Sequence, residues 1–126
     1  MKLKGKRIYI VEDNPDNILI IQMILSKHGA SVTVDWWASG KNERILAAMP
    51  LDLIILDLMM PEMNGFEVLQ FLRSKKVEVP IIVFSALSHK ETVVKAVGFG
   101  VHSYLIKPLK PEQVMQKAVE ILGRNF

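Results

Sequence analysis

The chain contains the apolar run Leu53-Ile54-Ile55-Leu56, which ends in the acid Asp57. Large aliphatic residues follow one another there, without the polar alternation of a strand that has one face in water. Such a run is typical of a strand buried on both faces in the middle of a parallel sheet. We therefore predict a central strand over residues 52–57, with Asp57 at its carboxyl end. An acid at such a position, taken alone, is more often a turn former or a helix cap than a reactive group.

Apolar runs and amphipathic stretches alternate five times along the chain, which is the pattern of βα units. The predicted strands cover residues 7–11, 31–37, 52–57, 81–84 and 102–106. The predicted helices run from Asn14-Pro15 to His28-Gly29, over 39–48, from 64, over 88–98 and from 111. Five units predict an open, doubly wound α/β sheet, because a closed barrel of this type needs eight units.

Local signals mark the ends of several predicted helices. Asn14 followed by Pro15 is an N-cap with a first-turn proline. Asn64-Gly65-Phe66-Glu67 and Ser88-His89-Lys90-Glu91 have the form of capping boxes. We expect Gly98 to end the fourth helix in the left-handed conformation that glycine adopts easily.

Length and composition predict a single domain over residues 1–126. Half of the 126 residues are hydrophobic, which is enough for one buried core. The absence of cysteine excludes a disulfide framework and a thiolate metal site. The basic opening of residues 1–7 is followed by too short an apolar stretch for an export signal, and no apolar run approaches the length of a membrane span. We expect a cytoplasmic domain without membrane insertion.

The positive charge of the chain is spread rather than clustered. The formal charge is +3, and the sixteen Lys and Arg are distributed along the sequence. This distribution allows an acidic partner surface but lacks the basic stripe expected of a nucleic-acid interface. We therefore expect no direct binding of nucleic acid.

Four predicted strands are followed by groups that can handle a metal ion or a phosphate. In a doubly wound sheet the ligand crevice lies at the carboxyl ends of the strands, and the residues there are Glu12-Asp13, Asp57, Ser85 and Lys107. Three carboxylates at one edge repel one another unless a cation holds them, and all-oxygen ligands favour Mg²⁺. Asp57 can then act as a nucleophile toward a phosphoryl group, while Lys107 and Ser85 bind its oxygens.

The chain also resembles a known family. The resemblance is carried by Ile10-Val11-Glu12-Asp13-Asn14-Pro15, Leu56-Asp57-Leu58-Met59-Met60-Pro61-Glu62-Met63-Asn64-Gly65, Phe84-Ser85-Ala86 and Tyr104-Leu105-Ile106-Lys107-Pro108. In order and spacing these segments resemble the motifs of receiver domains of two-component response regulators, over nearly the whole chain. The resemblance implies a flavodoxin-like, three-layer αβα fold with strand order 2-1-3-4-5. It also implies a phosphorelay switch rather than a metabolic enzyme, with a sensor histidine kinase or a histidine phosphotransfer protein as phosphodonor.

The resemblance implies roles for the acidic groups. Asp57 would be the phosphorylation site, and the receiver itself would catalyse the transfer to it. Asp13 would be a direct Mg²⁺ ligand and Glu12 a ligand through water, with Asp57 also in the metal site. The backbone carbonyl of Met59 would be the third protein ligand.

The resemblance also implies a switch. Ser85 and Lys107 would bind the phosphoryl oxygens, and the bond between Lys107 and Pro108 would be cis. As the phosphoryl group draws the Ser85 hydroxyl inward, Tyr104 would turn into the space released. The surface formed by helix 88–98, the fifth strand and the last helix would then meet a downstream protein target. The receiver would act as a monomer or as a phosphorylation-dependent dimer.

Two apolar residues bear on the lifetime of the phosphorylated state. Met59 lies two residues after Asp57, and Leu87 lies two residues after Ser85. In the family these positions influence the water that hydrolyses the aspartyl phosphate, and apolar side chains cannot orient water by hydrogen bonds. We expect slow self-dephosphorylation.

The sequence leaves alternatives to weigh. An aspartate-dependent phosphatase of the haloacid-dehalogenase kind would place a second acid where Met59 stands. A nucleotide-binding module would place a Gly-rich phosphate loop where Glu12-Asp13 stands. A pseudo-receiver that docks without phosphorylation would not need Ser85 and Lys107. The domain could also be a receiver from a longer regulator or a hybrid histidine kinase.

Overall fold

The structure, a computed structural model, describes residues 2–35, 42–60, 63–86 and 89–123. The strands are β1 (Arg7–Val11), β2 (Ser31–Asp35), β3 (Leu53–Asp57), β4 (Ile81–Ser85) and β5 (Ser103–Ile106). The helices are α1 (Pro15–Lys27), α2 (Asn42–Ala47), α3 (Gly65–Ser74), α4 (Lys90–Gly98) and α5 (Pro111–Leu122). A short antiparallel ladder joins Met59–Met60 to Met63–Asn64.

The five strands form one parallel sheet in the order β2-β1-β3-β4-β5. This is the predicted order, and β3 lies at its centre. All five residues of β3 are buried, as are all five of β4. The apolar run that ends in Asp57 is therefore the middle of the sheet, as predicted.

The helices cover both faces of the sheet and give the predicted three layers. Alternate residues of a strand point to opposite faces. In β1, Ile8 and Ile10 join the core under α1 and α5, whereas Tyr9 and Val11 join the core under α2, α3 and α4. The first core also contains Ile21, Leu25, Val114, Ala118 and Leu122. The second also contains Ile45, Val68, Leu69, Leu72 and Ala96.

Two of the predicted helix starts are present as expected. The Asn14 side chain accepts hydrogen bonds from the backbone N–H groups of Asp16 and Asn17, at 2.9 and 3.2 Å, and Pro15 opens α1. The Asn64 side chain accepts one from the Phe66 N–H at 2.9 Å. Each cap satisfies N–H groups that have no partner inside the helix.

The fourth helix ends at Gly98, as predicted, but the left-handed conformation predicted for this glycine is wrong. Gly98 remains in α4, and the left-handed residue is Gly100, with φ of 80°. The helix tightens at its end, because the N–H groups of Phe99 and Gly100 bond to the carbonyls of Ala96 and Val97. The left-handed turn therefore comes two residues later than the first glycine.

Some predicted features fall outside the described residues. The second strand was predicted through Trp37 and the second helix from Ser39, and residues 36–41 are not described. Ser88, the predicted first residue of a capping box, is not described either, and α4 begins at Lys90 after His89.

The described helices have at most 13 residues, whereas about 20 are needed to cross the hydrocarbon core of a lipid bilayer. Within the described ranges, none of them combines the length and the apolar character needed to span one.

Candidate functional site

The parallel register brings the carboxyl ends of four strands to one edge of the sheet. Glu12 directly follows β1, Asp57 and Ser85 are the last residues of β3 and β4, and Lys107 directly follows β5. The register pairs at this edge are Val11 with Leu56, Asp57 with Phe84, and Ser85 with Ile106. Groups that are far apart in sequence are thus neighbours in space, as predicted.

The Asp57 carboxylate is buried, with only 1% of the residue exposed, and both of its oxygens are engaged. One oxygen, Oδ2, lies 2.7 Å from Lys107 Nζ, and the other, Oδ1, accepts a hydrogen bond from the Met59 backbone N–H at 3.1 Å. Charge-assisted hydrogen bonds of this length fix orientation. The carboxylate is therefore held at the edge of the sheet by one cation and one backbone dipole.

Glu12 is fully buried, and one of its oxygens lacks a hydrogen bond. Oε1 accepts the Asn14 backbone N–H at 2.9 Å, whereas Oε2 has no hydrogen-bond partner among the described residues and lies 3.8 Å from Lys107 Nζ. Burial and the nearby charge of Asp57 raise the pKa of Glu12 to about 7, against the Asn14 N–H and Lys107, which lower it. A buried oxygen without a donor is costly and indicates that a further group belongs beside it.

Three carboxylates form an acidic cluster at this edge. One oxygen from each of Glu12, Asp13 and Asp57 lies within 4.8 Å of the others, with Asp13 exposed and the other two buried. The donors are all oxygen, one side of the cluster is open, and Glu12 Oε2 is available for a further partner. This donor set fits a hard divalent cation such as Mg²⁺.

Ser85 and Tyr104 lie on the adjacent strands. Ser85 is fully buried, and its carbonyl accepts the backbone N–H of Lys107 at 2.9 Å. Tyr104 is partly buried on β5, beside Val83 of β4, and packs against the core under α2, α3 and α4. Ser85 therefore lies at the carboxyl end of β4 and Tyr104 lies on β5, as predicted.

Two other predicted residues lie beside the site. The peptide bond between Lys107 and Pro108 is cis, as predicted. Met59 is 49% exposed, and its backbone N–H bonds to Asp57 Oδ1. Leu87, the partner of Met59 in the expectation about hydrolysis, lies outside the described residues.

Sequence reasoning missed two contributions to the site. Lys107 Nζ lies 5.3 Å from the centre of the Phe84 ring, which adds a cation–π contact to its ion pairs. Gly65 donates its N–H to the Leu58 carbonyl at 2.6 Å, and a Cβ added to Gly65 would lie 2.6 Å from Leu58 Cα. A local pattern shows Gly65 only as part of a capping box, because the contact with Leu58 depends on how the loop folds back.

Comparison with protein families and with curated proteins identifies relatives of the chain. The family model described as "Response regulator receiver domain" matches residues 8–119. Response regulator SaeR of Staphylococcus aureus (strain USA300) is 29% identical over 117 residues, which are 93% of this chain and 50% of that protein. The chain thus spans about half the length of the curated relatives it matches.

Solved structures show the same fold. The Francisella response regulator 1452 receiver domain superposes with a TM-score of 0.85 at 24% identity, over 97% of this chain and 100% of that one. A CheY-like receiver domain protein from Methanospirillum hungatei JF-1 has a TM-score of 0.84 at 25% identity, over 94% of each chain. With the family match over most of its length, the chain belongs to the response regulator receiver domains, a family of two-component signalling and not of metabolic enzymes.

Proposed function

We propose that this receiver accepts a phosphoryl group on Asp57 from a phosphohistidine. The proposal is carried by the setting of the Asp57 carboxylate, which is buried among charges at the edge of the sheet. Lys107 Nζ lies 2.7 Å from one of its oxygens, and carboxylate oxygens of Glu12, Asp13 and Asp57 lie within 4.8 Å of one another. The donor would be a sensor histidine kinase or a histidine phosphotransfer protein.

The reaction needs positioning and charge neutralisation more than covalent machinery. An oxygen of Asp57 forms a bond to phosphorus while the bond from phosphorus to the histidine nitrogen breaks. The electron pair stays on the imidazole, which takes up a proton from solvent. Lys107 and Ser85 bind the phosphoryl oxygens, because an ammonium group and a hydroxyl group at this edge can both donate to them.

The acidic cluster is proposed as a Mg²⁺ site. Asp13 and Asp57 supply direct carboxylate ligands, the backbone carbonyl of Met59 a third, and Glu12 a ligand through water. Support comes from the carboxylate oxygens, which lie within 4.8 Å of one another, and from Glu12 Oε2, which has no hydrogen-bond partner among the described residues. When bound, the ion supplies positive charge that balances the carboxylates and the phosphoryl oxygens.

The proposed output is a change at the surface formed by α4, β5 and α5. Ser85 and Tyr104 would couple this surface to Asp57, because Ser85 ends β4 and Tyr104 lies on the neighbouring strand β5. Val94 and Val97 of α4 and Ile106 of β5 are exposed apolar residues on this surface. Four lysines lie on or directly next to these elements: Lys90, Lys95, Lys110 and Lys117. The Lys95 ammonium contacts the Phe66 ring, and Lys117 pairs with Glu120. An exposed apolar group bordered by lysines fits a protein target with an acidic rim, and not nucleic acid.

The direct test is phosphorylation by a small phosphodonor. The protein is incubated with acetyl phosphate, with Mg²⁺ or with excess EDTA, and intact mass and peptide mass are measured. We expect one phosphoryl group per chain with Mg²⁺, located on the peptide that contains Asp57, and almost none with EDTA. A gain that is insensitive to EDTA, or that maps to another peptide, would refute the proposal.

Self-dephosphorylation is expected to be slow, because Met59 cannot hold an attacking water by a hydrogen bond. Replacing both apolar residues, Met59→Asn with Leu87→Glu, should raise the rate of phosphoryl loss roughly tenfold by supplying groups that orient water. The rate is measured from the decay of labelled protein after the phosphodonor is removed. Met23→Asn is the control, since Met23 is an exposed methionine on α1. Equal decay in the double variant and the control would show that these positions do not set the lifetime.

A further inference from the structure

Arg73, in the last turn of α3, makes three hydrogen bonds that the phosphorylation chemistry does not use. Its Nε donates to the Phe99 carbonyl at 2.6 Å, and its Nη1 donates to the Val77 carbonyl at 2.6 Å. Its Nη2 donates to the Gly100 carbonyl at 3.1 Å. All three nitrogens of the planar guanidinium thus donate to backbone carbonyls, and these carbonyls belong to two separate segments.

The carbonyls that Arg73 binds belong to segments that lead into the two switch strands. Val77 precedes β4, which ends in Ser85, and Phe99 and Gly100 precede β5, which carries Tyr104. Arg73 therefore joins the starts of β4 and β5 at the amino-terminal edge of the sheet, opposite the Asp57 site. Phe99 and Gly100 also close the carboxyl end of α4, where a positive charge is favourable.

Ala96 packs the carboxyl half of α4 into the core, although Lys95, Val97 and Gly98 beside it are exposed. Ala96 is the buried residue of this helix, compared with four in α3 and three in α5. The Lys95 ammonium lies 4.3 Å from the centre of the Phe66 ring, and the Phe66 and Phe99 rings are 6.3 Å apart. The side chains of residues 90–94 are exposed or partly buried. Among the described residues, the His89 side chain makes no hydrogen bond that caps α4.

We propose that Arg73 is a positioning residue that fixes the carboxyl end of α4, so that α4 responds to occupancy of the Asp57 site by pivoting about this end. The inference rests on the proposed function of Asp57 and adds the geometry of the response. Two of the three Arg73 hydrogen bonds, to the Phe99 and Gly100 carbonyls, and the buried Ala96 hold the carboxyl end of α4. A helix that is held at one end moves at its other end. The fixed end keeps β5 in register, and Lys107 stays beside Asp57.

Amide hydrogen exchange with and without Mg²⁺ and beryllofluoride, an analogue of the phosphoryl group, tests the pivot. In the wild type we expect exchange at Val93 and Val94 to change by about fivefold or more, and exchange at Phe99 and Gly100 by less than about twofold. Intact mass after acetyl phosphate treatment is measured on the same protein. Phosphorylation of Asp57 together with equal exchange changes at both ends of α4 would overturn the pivot and leave the phosphoacceptor role standing. Absence of phosphorylation would overturn both.

Variants of Arg73 test the residue itself. Arg73→Lys keeps the charge and loses the fork, and Arg73→Gln loses both. In each we expect exchange at Phe99 and Gly100 to rise about tenfold or more, and the change produced by beryllofluoride to spread to these two amides. Ile21→Val and Ile21→Ala, buried on α1 across the sheet, bracket the general loss of stability. Arg73 has no positioning role if the Ile21 variants extend the beryllofluoride-induced change to Phe99 and Gly100 as much as the Arg73 variants do. The same conclusion follows if both Arg73 variants keep the exchange pattern of the wild type.

Discussion

Asp57→Asn is expected to abolish phosphoryl uptake, by at least about a hundredfold relative to the wild type. Asparagine has nearly the same shape, but its neutral amide oxygen is a poor nucleophile and cannot form a stable acyl phosphate. The fold should survive the change. Lys107 keeps Glu12 as an ion-pair partner at 3.8 Å, and the repulsion between residues 12 and 57 disappears. Uptake is measured by intact mass after incubation with acetyl phosphate and Mg²⁺.

The matched control is Asp52→Asn, which makes the same change at the other end of the same strand. Asp52 precedes β3, and its carboxylate accepts the backbone N–H of Arg7 at 2.8 Å, far from the acidic cluster. This variant should take up phosphoryl groups like the wild type. Full uptake by Asp57→Asn would show that another residue is the acceptor.

Gly65→Ala is expected to cost more than about 3 kcal/mol of the free energy of unfolding, because the new methyl group has no room. An added Cβ would lie 2.6 Å from Leu58 Cα, 2.7 Å from its carbonyl oxygen and 3.0 Å from its carbonyl carbon. These are backbone atoms of a fully buried residue that directly follows Asp57, so they cannot move aside by a change of rotamer. The loss is measured from the midpoint of urea denaturation.

Gly98→Ala is the control for this experiment. Gly98 is the last residue of α4, and a Cβ added to it would have no atom of the described residues within 4 Å outside its chain neighbours and its own helix backbone. Alanine there should leave stability unchanged or raise it by up to about 1 kcal/mol, through its better helix propensity. Equal stability of the two variants would mean that the contact between Gly65 and Leu58 is not tight in solution.

The sequence was sufficient for the sheet and for the residues at its carboxyl edge. An unbroken aliphatic run such as residues 53–56 has few uses other than a central parallel strand. Once the strands are parallel, the groups that follow them meet at one edge whatever their separation in sequence. This is why the sequence alone predicts that Glu12, Asp57, Ser85 and Lys107 lie at one edge of the sheet.

Local sequence patterns could not predict contacts between segments that are distant in sequence. Arg73 and Phe99 are 26 residues apart, and nothing near either residue indicates that they bond. The turn after α4 was predicted at Gly98 and occurs at Gly100, because the tightened last turn of the helix decides which glycine takes the left-handed conformation. The Glu12 oxygen that has no hydrogen bond among the described residues likewise depends on how the folded edge buries it.

The site is formed where four strands end, by Glu12, Asp57, Ser85 and Lys107. Because these residues are far apart in sequence, the site does not exist in the unfolded chain. A ligand that binds there binds the folded state alone and adds its binding free energy to stability by mass action. Magnesium, a phosphoryl group or an analogue should each raise the melting temperature in proportion to the logarithm of its concentration above its dissociation constant. Ligand binding at this site and folding of the chain are therefore linked equilibria, and each favours the other.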